Sequence, residues 1–278
     1  MTEMFGLRGV NVAEEKAVLS PSNLAILDKM RLMDDDFFSE TLNDKPEAVQ
    51  FIINTILERN DIRIESARTQ VEYKSATKRS IRLDVEARDS EGRLLDVEVQ
   101  RAEEGTSVRR ARFHSSVIDR TLLKKGMEFD EMVDSYVIFI TEKDKFGKGI
   151  PAYHIERTIE ELDGASFGDG SHIIYVNGEY RDESHPIGRL MHDFNCTKAN
   201  DMFSKVLAEE VRYLKETERG QMRVCKLIED RTKEAVHESQ VENALKMLND
   251  GVLTLEKVAS YSGLSLEEVK ELANRRTA

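Results

Sequence analysis

The chain has 278 residues, 40% of them hydrophobic, and a formal net charge of -12. That length suits one large domain, or one domain with a helical appendage, and is enough to bury a real core. The acidic balance argues against coating nucleic acid through bulk charge, although a local basic patch remains compatible with gripping phosphates.

No run approaches the roughly 18 apolar residues of a membrane span, so no membrane association is expected. The first twenty residues mix acids and bases and do not read as a signal peptide. Cys196 and Cys225 have no metal-ligand spacing, so reduced thiols and a cytoplasmic location are expected.

In chain order, residues 34–43 are predicted helical, with Phe37, Phe38 and Leu42 at helical spacing. A second helix is predicted over 46–59, with Asp44 and Glu47 resembling a capping box, Pro46 in the first turn, and Val49, Ile52, Ile53 and Ile56 repeating at three and four. A strand is expected over 68–74 and a hairpin over 80–88 and 93–100. Ser107 caps a helix running to about residue 125, where Gly126 ends it. "SYVIFIT", 135–141, reads as a strand suited to the inside of a sheet. Further strands are expected at 152–158 and 172–176. From Arg189 onward the texture changes to long charged helices.

The hairpin "RLDVEARDSEGRLLDVEVQR" raises the functional question. Its turn, Ser90-Glu91-Gly92, places Gly where a left-handed conformation is wanted. The register this implies sets Leu83, Val85 and Ala87 against Val99, Val97 and Leu95 on one face. On the other face Asp84 lies across from Glu98, Glu86 from Asp96, and Arg82 from Gln100. Opposed carboxylates about 5 Å apart repel by roughly 3 kcal/mol at an effective dielectric of about 20. A solvated face relieves that repulsion by splaying the charges, and an oxygen-ligated divalent cation turns it into binding. Both readings stand at this point. Gln100 on the same face, and Arg101, Arg109, Arg110, Arg112 and Arg120 just beyond, weigh toward a site that handles metal and phosphate. Arginines in a first helical turn oppose the helix dipole. Their alternative role is a solvated face paired to nearby acids.

The α-β-β-β-α-β order, one Asp on the second strand and Glu-x-Gln on the third resemble the PD-(D/E)XK nuclease superfamily. More narrowly, the chain is similar to its transposase-like branch, the recombination-promoting nucleases and transposases. The matching stretches are the hairpin, "RRARFHSSVIDRTLLKKG" and "DSYVIFI". The resemblance implies a restriction-endonuclease-like α/β core with a mixed sheet, followed by a helical C-terminal tail. It also implies a Mg²⁺-dependent DNA endonuclease, with Mn²⁺ able to substitute. Carried over by position, Asp84 and Glu98 are the metal ligands with the Val99 carbonyl, and Gln100 stands where the superfamily usually has lysine. Gln100 would orient the attacking water but supplies no charge. Arg101, Arg109, Arg112 and His114 are the expected DNA contacts, although a buried, hydrogen-bonded role competes for His114. Glu86 and Asp96 are expected to be solvated or paired with Arg88, with a second metal as the alternative. Glu47 and Glu58 are the acids available on the first core helix. The rival function is a catalytically weak or inactive nuclease-fold protein that binds DNA or protein.

The expected organisation is an N-terminal extension at 1–33, a nuclease-like domain at 34–188 and a helical region at 189–278, where self-association is expected. Within that region 250–276 has helix-turn-helix spacing, with Thr254 as a cap, Gly263 as the turn, and Ser265 with Glu268 as a capping box. The second helix begins Leu266-Glu267-Glu268, which would repel phosphate, so a packing or protein-contact module is favoured over a DNA reader.

Overall fold

The computed structural model describes residues 19–74 and 80–277. Residues 1–18 of the expected N-terminal extension lie outside the described residues. The described residues divide into two compact units, 25–221 and 19–24 with 222–277.

The short helix α1 (Pro21–Lys29) spans the unit boundary at residues 24 and 25, and the first unit continues with α2 (Asp35–Leu42) and α3 (Pro46–Leu57). Pro46 opens α3 at a position that needs no amide donor, and Ala48, Val49, Ile52, Ile53 and Ile56 are buried along one stripe. The expected capping box at Asp44 is absent. Lys45 is the N-cap, with no side-chain cap, and Asp44 instead takes a positive φ of 55° and donates its N–H to the Ala67 carbonyl.

Three antiparallel strands follow: β1 (Ile64–Tyr73), β2 (Ile81–Asp89) and β3 (Leu94–Gln100). Then come α4 (Val108–Leu122) and β4 (Ser135–Thr141), which pairs parallel to β3. β5 (Ala152–Ile155), the small hairpin β6 (Thr158–Ile159) and β7 (Ala165–Ser166), and β8 (Ser171–Asn177) complete the strands. The six-stranded sheet has the order β1-β2-β3-β4-β8-β5 and is mixed. β4 is buried along its whole length, as a strand covered on both faces should be. This is the expected α/β class, with the α-β-β-β-α-β core in the expected order.

α4 lies on one sheet face, where Ala111, Ile118 and Leu122 pack with Leu94, Val137, Phe139 and Tyr175. By strand alternation Val97, Val99, Ile138 and Ile140 occupy the opposite face, buried beneath α2 and α3. α5 (Pro186–Asn195) and α6 (Lys205–Glu216), which the sequence reading assigns to a separate helical region, pack against α2 and α3 within this same unit.

The second unit contains most of α7 (Glu218–Asp250), then α8 (Leu255–Ser262) and α9 (Leu266–Thr277). Ala244, Val258, Leu264 and Val269 form its buried centre. The expected punctuation is present: Thr254 Oγ1 accepts from the Lys257 N–H, Gly263 has φ 81°, and Ser265 and Glu268 cap reciprocally. Among the described residues no helix is long and apolar enough to cross a membrane.

Candidate active site

β2 and β3 run through the interior of the sheet, so the acids between them are not on a solvated face. Asp84 is 5% exposed, Glu86 2%, and Asp96 and Glu98 0%. The turn fixes the pairing as expected from Val85↔Val97 to Arg88↔Leu94. Gly92 has φ 80°, the Asp89 N–H bonds the Arg93 carbonyl at 3.2 Å, and Asp89 Oδ2 accepts from Arg93 Nε at 2.6 Å.

The regular pairing expected through Asp84 does not continue. The β1–β2 register passes from Thr69↔Val85 to Val71↔Leu83, and the β2–β3 register begins only at Val85, so Asp84 sits where both ladders are interrupted. Gln70, the β1 residue at this level, has φ 55°. Ile81 and Leu83 pack with Val117 and Phe113 of α4, on the face that Asp96 shares through His114. The alternation of β2 therefore changes phase between Leu83 and Glu86, which removes the expected Leu83–Val99 apolar pair. Side chains explain the break. The Asp84 N–H donates to Glu98 Oε1 at 2.9 Å, and the Val99 N–H donates to Asp84 Oδ2 at 3.1 Å. Each carboxylate has taken a backbone donor from the other strand, so the two acids interlock where the strands part.

α4 closes the site from above. Its Arg110 donates Nη2 to Glu98 Oε2 at 2.9 Å and Nη1 to Gln100 Oε1 at 3.3 Å, so one guanidinium holds both Glu98 and the amide of Gln100. His114, 2% exposed, sets Nδ1 2.8 Å from Asp96 Oδ2 and receives Arg110 Nε at Nε2, 3.3 Å away. A cleft of about 950 Å³ opens over this group, lined in part by Asp35, Asp84, Gln100, Arg109, Arg110 and His114.

The family whose model matches is described as "PD-(D/E)XK nuclease family transposase", and the match covers residues 36–257. The chain belongs to that family. No curated protein and no solved structure matches it significantly.

In this member of the family the expected site residues are only partly brought together. Asp84, Glu98, Val99 and Gln100 come together at the parted end of β2 and β3. Arg109 is exposed on the cleft wall, whereas Arg101 pairs with Asp34 and Glu142 at 2.6 and 3.3 Å and is not part of that wall. Arg112 is exposed on α4 outside the lining. His114 lines the cleft floor but has both ring nitrogens engaged within the protein, the buried role that competed with a phosphate contact. Glu86 is not solvated: Arg68, Arg88 and Tyr73 surround it. Asp96 is not solvated either, nor is it paired with Arg88.

Sequence reasoning missed three features. Asp35, in the acidic first turn of α2, reaches the cleft near enough to Asp84 for its charge to be felt there. Glu47 and Glu58, the acids considered instead, line a different groove on α3. Arg110 was visible only as one of several arginines, and its hold on Glu98 depends on where α4 lies on the sheet. Gly105 allows Gln100 to approach, since a Cβ there would lie 1.9 Å from Gln100 Oε1.

The electrostatics follow from burial. Desolvation, with the charge of Asp96 added, pushes Glu98 up to about 8. Burial, then Glu98 and Asp35, holds Asp84 well above the usual carboxylate range, and burial, then Asp84, does the same to Asp96. Burial lowers His114, with Arg110 adding to the effect and Glu98 opposing it. The site thus concentrates more acid than its cations balance, and Asp96 Oδ1 is buried with no hydrogen-bond partner among the described residues. Carboxylate oxygens with an amide and a carbonyl nearby make a donor set that fits a hard divalent cation such as Mg²⁺ or Mn²⁺.

Proposed function

We propose that this protein is a divalent-cation-dependent DNA endonuclease, with Asp84 and Glu98 holding Mg²⁺ or Mn²⁺ together with the Val99 carbonyl. The observation that carries the reading is the interlocked Asp84–Glu98 pair at the interrupted ladder, with Arg110 on Glu98 and with Asp84 lining the cleft in front of the buried Glu98. A bound cation in such a site supplies Lewis acidity toward a phosphodiester oxygen and lowers the pKa of water.

The protein's own groups have distinct tasks. Asp84 and Glu98 present oxygens from two strands held in fixed register by the Asp89–Arg93 turn. The Gln100 carboxamide, oriented by Arg110, positions a water through hydrogen bonding but cannot take its proton. Arg110 brings to Gln100 the positive charge that a lysine would carry at that position, and Arg109 on the cleft wall contacts the phosphate backbone. Asp35 adds a further carboxylate facing Asp84. His114 and Asp96 brace Glu98 from behind.

The test is nicking of supercoiled plasmid by purified protein with Mn²⁺ or Mg²⁺. Asp84→Asn and Glu98→Gln preserve size and most hydrogen bonds, and each is expected to lower nicking by at least about 100-fold. Equal nicking by wild type and both variants sinks the proposal. A second reading, a nuclease-fold module that binds without cutting, draws on one observation: an amide replaces the usual lysine. It predicts no nicking by any form, with no calorimetric binding at millimolar Mg²⁺ or Mn²⁺, or binding that is unchanged in Asp84→Asn.

A further inference from the structure

The C-terminal end of α5 carries a second constellation, unrelated to the carboxylate site: His192, Asp193 and Cys196. Their ligand atoms lie within 4.8 Å of one another. His192 Nδ1 is 3.6 Å from Cys196 Sγ and 3.4 Å from Asp193 Oδ1. These edges have a chemical meaning. A tetrahedral Zn²⁺ with Zn–S about 2.3 Å and Zn–N and Zn–O about 2.0–2.1 Å sets S and N about 3.6 Å apart, and N and O about 3.3 Å apart.

The donors are also arranged as ligands usually are. Asp193 is 1% exposed, and its two oxygens accept from the Phe203 and Ser204 N–H groups at 2.7 and 2.8 Å. Those bonds fix its orientation and leave each oxygen a free lone pair. The His192 ring is held by Phe203 at a centroid distance of 4.5 Å, with Arg189 stacked on the far partner of that pair. Cys196 is partly exposed, so an ion has an entry path.

We propose that His192 Nδ1, Asp193 Oδ1 and Cys196 Sγ form a three-ligand site for Zn²⁺ or a similar borderline metal, with water in the fourth position. The mixed N, O, S set disfavours Mg²⁺, so this site and the all-oxygen site sort different ions. Without metal, burial and then the charges of Asp193 and Asp201 push the Cys196 thiol up to about 11, and it donates to the Asp201 carbonyl at 3.7 Å. Metal binding exchanges that proton for the ion and releases it to solvent. An ion there ties the end of α5 to the segment that begins α6.

The experiment is a Co²⁺ titration of the metal-stripped, reduced, full-length protein. A thiolate-to-cobalt charge-transfer band saturating at about one equivalent, bleached by Zn²⁺, is expected for a single tetrahedral site. Asp84→Asn and Cys225→Ser retain the band, because neither residue belongs to the site. Cys196→Ser abolishes it. His192→Gln weakens Co²⁺ binding by at least about tenfold, since even the loss of groups supporting a ligand costs that much. No band in the wild type under excess Co²⁺ overturns the proposal. So does a band unchanged in Cys196→Ser, or one lost in Cys225→Ser, or an affinity unchanged in His192→Gln.

Discussion

Held up to about 8, chiefly by burial and by Asp96, the Glu98 carboxyl binds its proton more tightly in the folded chain than in the unfolded one, where it titrates near 4.5. A raised carboxyl favours folding below the unfolded value, and that contribution is lost as pH rises through the folded value. In chelator, thermal stability should therefore fall between about pH 4.5 and pH 8. Added Mg²⁺ or Mn²⁺ should restore it most at the upper end, where the acid is ready to ionise. Differential scanning fluorimetry across that range decides the matter, and a flat profile in chelator speaks against the burial argument. A second consequence at this scale concerns Gly105. Because a Cβ there would lie 1.9 Å from Gln100 Oε1, Gly105→Ala should displace that amide. Nicking should fall by about tenfold to 100-fold, the cost of a misplacement near 1 Å, while calorimetric metal affinity holds. Unchanged nicking would remove Gln100 from the water-positioning role.

At the scale of elements, the hairpin and Lys215 of α6 behave differently toward sequence reasoning. The turn was legible because Gly92 and the alternation on either side are local facts. The break at Asp84 was not, since it comes from side chains competing for backbone donors across strands. Lys215 is equally opaque in the sequence, where it looks like one more basic residue on a charged helix. Folded, its ammonium donates to the carbonyls of Asp28, Met30 and Thr197 at 3.0, 2.6 and 2.7 Å and sits 5.2 Å from the Phe37 ring centroid. It ties the ends of α1 and α5 to α6. Lys215→Met keeps the length but strands three carbonyl acceptors, and should cost about 2 kcal/mol. A urea midpoint equal to that of the wild type would show that the three carbonyls find water instead.

For the whole molecule, net charge and local charge point in opposite directions. A chain at -12 has no bulk attraction for a polyanion, so DNA affinity must come from local cations such as Arg109 on the cleft wall. If Arg109 makes about one phosphate contact, the log–log salt slope should be only about -1, and Arg109→Ala should make it shallower by about 1. Fluorescence anisotropy on a short duplex, at several salt concentrations and in Ca²⁺ to prevent cutting, measures it. A slope several times steeper would locate the DNA contact elsewhere. The acidic first turn of α9, with Glu267 and Glu268, makes the helix-turn-helix segment a poor source of such contacts.

Legible in the sequence were the order of the core elements, the hairpin turn and the helix caps of the C-terminal unit, with the strand register as far as Val85↔Val97. These follow from period, punctuation and motif, all of which are local. Tertiary structure alone decided that the acidic face is buried, that Asp84 interrupts two ladders, and that Arg110, His114, Asp96 and Asp35 join the pair. It also decided that Arg101 turns to Asp34 and Glu142. The reason is physical: burial and charge pairing are set by which segments meet in space, and α4 packs on the sheet through contacts with β4 and β8 that no single stretch of chain encodes.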